Sequence, residues 1–231
     1  MPRDASSTSR RRFLEWSAAA VPALATSGTV SAESGSAPAS GYSPGFFSAP
    51  EWAFLQAAVA RLIPSDALGP GALEAGVPEF IDRQMATPWA EGRLWYMQGP
   101  FAPDAPATLG WQMKLAPRDV YRLGIAAADG WTQREQGKPF AALDGPAQDS
   151  ALQAFESGKA HFEQVPAPVF FGMLLTNTRE GFFSDPAHGG NRGLAGWKLI
   201  GFPGARADFM DWVERDVAYP LPPVAIDGRR G

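Results

Sequence analysis

The chain has no cysteine, and that absence removes disulfides, thiolate metal sites, iron–sulfur clusters, covalently attached c-type haem and any cysteine nucleophile. Histidine is nearly as scarce: His161 and His188 are the only two in 231 residues, too few for a His-rich metal centre. Positive charge is short as well, with 20 Lys and Arg against 24 Asp and Glu for a formal charge of −4. The first 32 residues hold four Arg against Asp4 and Glu15, so the remainder carries −6. A nucleic-acid binder gains its affinity by neutralising phosphates with clustered Lys and Arg, and this balance argues against one. Alternating apolar runs of strand length, bounded by turn residues, are also missing.

What remains is ample for a folded protein. Hydrophobic residues make up 45% of the chain and charged residues 19%, and the length suits one domain or at most two small ones. The 25 Gly and 22 Pro together form about a fifth of the chain, above the average of roughly 12% and below the ~25–30% that marks disorder. Short elements with long ordered connections follow from that composition.

Residues 1–32 read as a signal peptide. Ser9 leads Arg10-Arg11-Arg12-Phe13-Leu14, which fits the twin-arginine pattern through Arg10, Arg11, Phe13 and Leu14; Glu15 stands where Lys is usual. A weakly apolar, Ala-rich stretch from Trp16 to Ala25 follows, and Val30-Ser31-Ala32 supplies a small-residue cleavage site. The segment is too short and too rich in Ser and Ala to span a bilayer, so it is an address and not an anchor. The twin-arginine route carries folded proteins, so the chain either acquires a cofactor before export or travels bound to a partner that does. Residues 33–47, rich in Ser, Gly, Pro and Ala, read as an extended linker.

The folded domain is expected over residues 48–218, with a Pro-rich tail at 219–231. Ser48 and Glu51 form a capping-box pair, and Trp52, Leu55, Val59 and Leu62 recur at helical spacing until Pro64. Pro78 opens a second helix carrying Phe80, Ile81 and Met85. A third runs from Pro117 to Gln136 through Val120, Leu123 and Ala127, and a fourth starts after Asp144 or Gly145 with Leu152 and Phe155 inward. The most apolar stretch is 166–183, and a last helix is expected over Ala205–Val213. The fold class is therefore all-α, a single helical domain of about six helices with long Pro/Gly/aromatic loops. The loop from Thr87 to Ala116 holds Trp89, Trp95, Tyr96, Phe101 and Trp111, too apolar for a solvated linker. Those rings either cap the protein's own bundle or meet another protein. The tail poses the same choice between a partner and the domain surface.

Chemistry is thinly signalled. Glu180, Asp185 and His188 lie within nine residues, a carboxylate–carboxylate–imidazole set that could hold a metal or transfer protons. The spacing puts Asp185 and His188 in a turn and not on one helix face, which favours capping and turn hydrogen bonds. Gly189-Gly190-Asn191-Arg192-Gly193 lacks the preceding strand and glycine spacing of a phosphate loop. There is no G-x-S-x-G elbow, and His161 sits on a segment, Lys159-Ala160-His161, that reads as helical.

Two stretches carry a family likeness: Glu180-Gly181-Phe182-Phe183-Ser184-Asp185-Pro186-Ala187-His188-Gly189-Gly190-Asn191, and Gly196-Trp197-Lys198-Leu199-Ile200-Gly201-Phe202-Pro203-Gly204. Together they resemble the signature of gluconate 2-dehydrogenase subunit 3, the small subunit of membrane-bound flavin-dependent dehydrogenases of sugars and sugar acids. Leu62-Ile63-Pro64 at the end of the first helix and the twin-arginine leader extend the resemblance over most of the chain. The family commonly has Tyr where this chain has His188.

The resemblance implies an exported, noncatalytic small subunit without flavin or metal of its own. Its implied partners are a large flavoprotein carrying FAD, a membrane c-type cytochrome subunit carrying haem c, and the twin-arginine export machinery. The implied location is periplasmic, peripheral to the inner membrane through the complex. On this reading Phe182, Phe183, Trp197, Phe202 and Pro203 are candidate interface residues, and Asp185, His188, Gly189, Gly190 and Asn191 shape the motif turn. Two readings from other classes stand beside it: a free-standing periplasmic enzyme, or a small-ligand-binding module, using Glu180, Asp185 and His188.

Overall fold

The computed structural model describes residues 41–231. The leader, with Arg10, Arg11, Phe13 and Leu14, and residues 33–40 lie outside the described residues. Ser48 starts α1 (Ala49–Leu62), where the Glu51 carboxylate accepts from the Ser48 amide at 2.8 Å and from its hydroxyl at 2.6 Å. The helix turns Phe54, Leu55, Ala58 and Val59 into the core. It ends ahead of Pro64, with the Ile63 amide donating back to the Val59 carbonyl at 3.1 Å.

Helix α2 (Val77–Gln84) has Pro78 in its first turn and is so enclosed that its acids, Glu79 and Asp82, are buried with the apolar residues. A buried carboxylate needs partners. Asp82 finds four in residues 42–47: the Tyr42 hydroxyl at 2.7 Å and the amides of Gly45, Phe46 and Phe47 at 2.8, 3.0 and 3.1 Å. The segment that composition marks as the end of a linker is thus fastened to the domain, and Phe47 is buried with its ring 5.7 Å from that of Tyr121.

Helix α3 (Pro117–Gln136) buries Val120, Tyr121, Gly124, Ile125, Ala128 and Thr132, leaving Leu123 and Ala127 at the margins of that face. In α4 (Gly145–Glu156) the Asp144 carboxylate caps the helix by accepting from the Ala147 amide at 2.9 Å. Helix α5 (Ala167–Phe183) is central and packs against α1, α2, α3, α4 and the short α6 (Ala195–Ile200). Its crossing with α3 depends on Gly124, because a Cβ there would lie 2.2 Å from the Phe170 ring. Around Phe170 the rings of Phe54, Phe140, Phe155, Phe162 and Tyr121 follow one another at centroid distances of 4.7 to 6.4 Å. The buried Tyr121 hydroxyl donates to Asn177 Oδ1 at 2.9 Å, and Asn177 Nδ2 donates to Glu180 at 2.8 Å. Burial first, and the Glu180 charge second, push the Tyr121 phenol well above its ordinary pKa.

The fold is all-α, with six α-helices and no strand among the described residues. Two segments depart from their local pattern. Ala205–Val213 is not a helix: Ala205 donates to the Val224 carbonyl at 2.7 Å and Val224 to the Pro203 carbonyl at 3.2 Å. That pairing ties residues 203–205 to the tail, and only a 3₁₀ turn forms at Met210–Trp212. His161 is exposed in a loop, because Gly158 at φ 75° follows α4 and Pro166 precedes α5, with Phe162 and Val165 buried between.

The aromatic loop packs largely on its own bundle. Trp89 and Trp111 lie against the core, Trp95 sits between them at 6.1 and 4.9 Å, and Trp111 Nε1 donates to the Leu115 carbonyl at 2.9 Å. Phe101 is half-buried, whereas Tyr96, Leu94 and Leu109 are exposed. In the tail, Val224 is bonded as above and Ala225 is buried with Leu194 and Trp197 in a small separate core.

Candidate functional site

Between α5 and α6, residues 184–194 form a turn whose side chains bind the backbone of the motif and of the tail. Asp185 accepts from the Ala187 amide at 2.9 Å through one oxygen and from the Ile226 amide at 2.8 Å through the other. Asn191 is fully buried at φ 48°, a left-handed conformation that Asn tolerates better than most residues. Its Nδ2 donates to the Ser184 carbonyl and its Oδ1 accepts from the Gly196 amide, both at 2.8 Å. The Arg192 amide donates to the Ala75 carbonyl at 2.9 Å, joining the turn to the segment before α2.

Glycine is required here by proximity. A Cβ on Gly190 would stand 2.1 Å from the Gly181 carbonyl oxygen, and one on Gly196 would stand 2.1 Å from that of Phe182. No side-chain movement relieves a clash with backbone.

The five candidate interface residues divide by exposure. Phe182 and Trp197 are buried, with Trp197 Nε1 donating to the Phe183 carbonyl at 2.7 Å. Phe183 and Phe202 are 38% and 45% exposed, and Pro203 is half-buried. Each buried ring supports an exposed one edge-on: Phe182 and Phe183 at 5.2 Å, Trp197 and Phe202 at 5.1 Å. Leu199 and Ile200 on α6 are also exposed, at 48% and 59%, so the solvent-facing apolar side chains of this region are branched aliphatics and two supported rings.

Glu180, Asp185 and His188 are engaged separately. Glu180 is exposed and bonded to Asn177, Asp185 is occupied by two amides, and His188 is exposed at the end of the 3₁₀ turn Pro186–His188. Among the described residues no three His, Asp or Glu side chains come together in a way that could hold a metal ion. Gly189 and Gly190 are buried behind the turn.

A feature that sequence patterns left unmarked adjoins the turn: a cavity of about 560 Å³ bounded by Glu79, Arg83, Arg192, Arg229 and Arg230. Glu79 and Arg83 are one helical turn apart and could be read as a pair. Arg192 reaches Glu79 across 113 residues, a contact with no local signal.

Fold and turn together define a class, a small all-helical chain whose most distinctive sequence forms a locked turn beside an exposed apolar face. The model of the family described as Gluconate 2-dehydrogenase subunit 3 matches residues 49–204, and the chain belongs to that family. It is accordingly of the accessory-subunit type, a member of a multi-subunit dehydrogenase complex. No match to a curated protein or to a solved structure was found. No described helix is long and apolar enough to cross a membrane.

Proposed function

We propose that the chain is the noncatalytic small subunit of a membrane-associated, flavin-dependent dehydrogenase of the gluconate 2-dehydrogenase type. It supplies the twin-arginine export signal for a large FAD-bearing subunit and stabilises that subunit by noncovalent burial. Electrons then leave the flavoprotein for a c-type cytochrome subunit in the inner membrane, and the assembly works on the periplasmic side. The observation that carries the reading is the family match over 49–204, which includes the whole turn and its apolar face. Without cysteine the chain can hold a partner only through such surfaces or through charge. Phe183 and Phe202, backed by Phe182 and Trp197, are the side chains best placed to act as rigid anchors, since supported aromatics lose little freedom on binding.

The test co-expresses the chain with the large flavoprotein and measures their association. Phe183→Ser/Phe202→Ser alters exposed positions and should keep the helical circular dichroism. Loss of a central anchor commonly costs about 2 kcal/mol or more, so affinity should fall roughly thirtyfold. Undiminished association would remove this face from the interface. His188→Ala should leave turnover of the assembled complex nearly intact. A loss of about 10²–10⁴-fold in a correctly flavinated complex would instead support an acid–base role and the enzyme reading.

A further inference from the structure

We propose that the cavity beside the motif turn is a binding site for an oxyanion, a carboxylate or a phosphate group. Three separate parts of the chain build it. Helix α2 contributes Glu79 and Arg83, the motif turn contributes Arg192, and residues 225–230 contribute Arg229 and Arg230. The last of these fold back through bonds from the Ala225 amide to the Arg229 carbonyl at 2.8 Å and from the Gly228 amide to the Ala225 carbonyl at 2.9 Å.

The charges do not cancel. One oxygen of Glu79 is taken by Arg83 and the other by Arg192, so a single carboxylate serves two guanidinium groups. Asp227 answers Arg229 at 2.6 Å, and Arg230 makes no ion pair among the described residues. Asp185, next in the chain to the cavity wall at Pro186, has both oxygens on backbone amides. Four guanidinium groups therefore meet two carboxylates, in a domain whose overall charge is negative. Each Arg that Glu79 holds keeps donors to spare, because a guanidinium offers five N–H groups in a planar fork suited to carboxylate and phosphate.

The two shared arginines are also held in place from behind. A Cβ at Gly76 would lie 2.8 Å from Arg192 Nε, and one at Gly189 would lie 3.0 Å from Arg83 Cδ and 3.1 Å from its Nε. Both glycines have positive φ, 77° and 104°. The backbone is shaped to let these side chains lie against it, with Glu79 fixing their ends. Such preorganisation reduces the ordering cost of binding. The occupant completes the charge balance that Glu79 leaves unfinished.

Two sources of oxyanion fit this chemistry, a free small anion and an acidic side chain of the partner subunit. The experiment titrates the full chain calorimetrically with citrate and separately with inorganic phosphate, at low ionic strength, beside Arg230→Gln and Arg192→Gln. Saturable binding is expected, about tenfold weaker in Arg230→Gln, as loss of one charged hydrogen-bonding partner implies. It should weaken further as ionic strength rises to about 0.15 M. The unfolding midpoint of anion-free Arg230→Gln should match the parent, since no described ion pair is lost.

The source is then read from the assembled complex. If an acidic side chain of the flavoprotein fills the site, the complex loses citrate binding and Arg230→Gln weakens assembly; if a free anion fills it, the complex keeps its citrate affinity. The proposal is overturned if the isolated chain shows no saturable binding and Arg230→Gln leaves assembly unchanged. It is equally overturned if both variants bind citrate as tightly as the parent. The titration of the isolated chain needs no partner, so its outcome is separable from that of the subunit reading.

Discussion

The helical bundle of residues 49–183 and the turn-and-tail region of residues 184–231 are held together by different means. In the bundle, apolar residues recurring at helical spacing deliver Phe54, Tyr121, Phe155 and Phe170 to one core, with the backbone paired along five helices and in the loops that join them. Beyond Phe183 only Leu194, Trp197 and Ala225 form a separate small core. The work there falls to single polar side chains, Asp185, Asn191 and the Trp197 indole, each bonded to backbone, and to glycines that let two stretches of backbone touch. The first kind of stability scales with buried area and tolerates substitutions that conserve volume. The second rests on individual donors and on methyl groups that must be absent, so small changes should be felt sharply.

The largest effect is expected in the bundle. Phe170→Ala removes the ring around which the other aromatics gather and should cost about 3–5 kcal/mol, whereas Phe170→Leu should cost much less. Urea unfolding of both variants checks this. In the turn, Asn191→Ala changes little volume yet leaves the Ser184 carbonyl and the Gly196 amide without their partner, at about 1–3 kcal/mol for each orphaned group. Gly196→Ala adds one methyl group against the Phe182 carbonyl and should cost about 1–3 kcal/mol, the overpacking range. If either turn variant unfolds within about 0.5 kcal/mol of the parent, as an ordinary surface substitution would, the turn is not locked and the contrast fails.

The smallest effect concerns the clasp at Asp82. Burial first, then the hydrogen bond to Asp82 and its charge, raise the Tyr42 phenol from 10.0 to about 12. A raised folded-state value means that this contribution is fully present below pH 10 and fades as pH climbs towards about 12, because the unfolded chain loses its phenol proton first. The stability difference between the parent and Tyr42→Phe should be flat at neutral pH and close over that alkaline window. A difference that stays constant through pH 12 would detach Tyr42 from the clasp.

The bundle was legible because burial imposes a period. Ser48 with Glu51, Pro78, Pro117 and Asp144 mark helix starts by chemistry that acts within a few residues, and each start falls where that chemistry puts it. Where the deciding contact is distant, local pattern failed. Phe209, Trp212 and Val213 have helical spacing, yet Ala205 pairs with Val224 and the helix does not form. Lys159-Ala160-His161 is a loop for a nearer reason: Gly158 at φ 75° closes α4 just before it, and Pro166 precedes α5. In the turn, the residue identities were visible before their jobs were: Phe182 and Trp197 look like anchors in sequence and are the buried supports of Phe183 and Phe202. The arginine-lined cavity was invisible, because it is assembled from segments that meet only in three dimensions.

The most direct test of the account is where the flavoprotein goes. With the small subunit carrying Arg10→Lys and Arg11→Lys, charge is kept but the paired guanidinium forks are lost. Dehydrogenase activity and the large subunit should then remain in the cytoplasmic fraction, whereas with the parent chain both are expected on the periplasmic side. Full periplasmic delivery of the large subunit by the Lys–Lys chain would contradict the claim that this subunit carries its partner's export address.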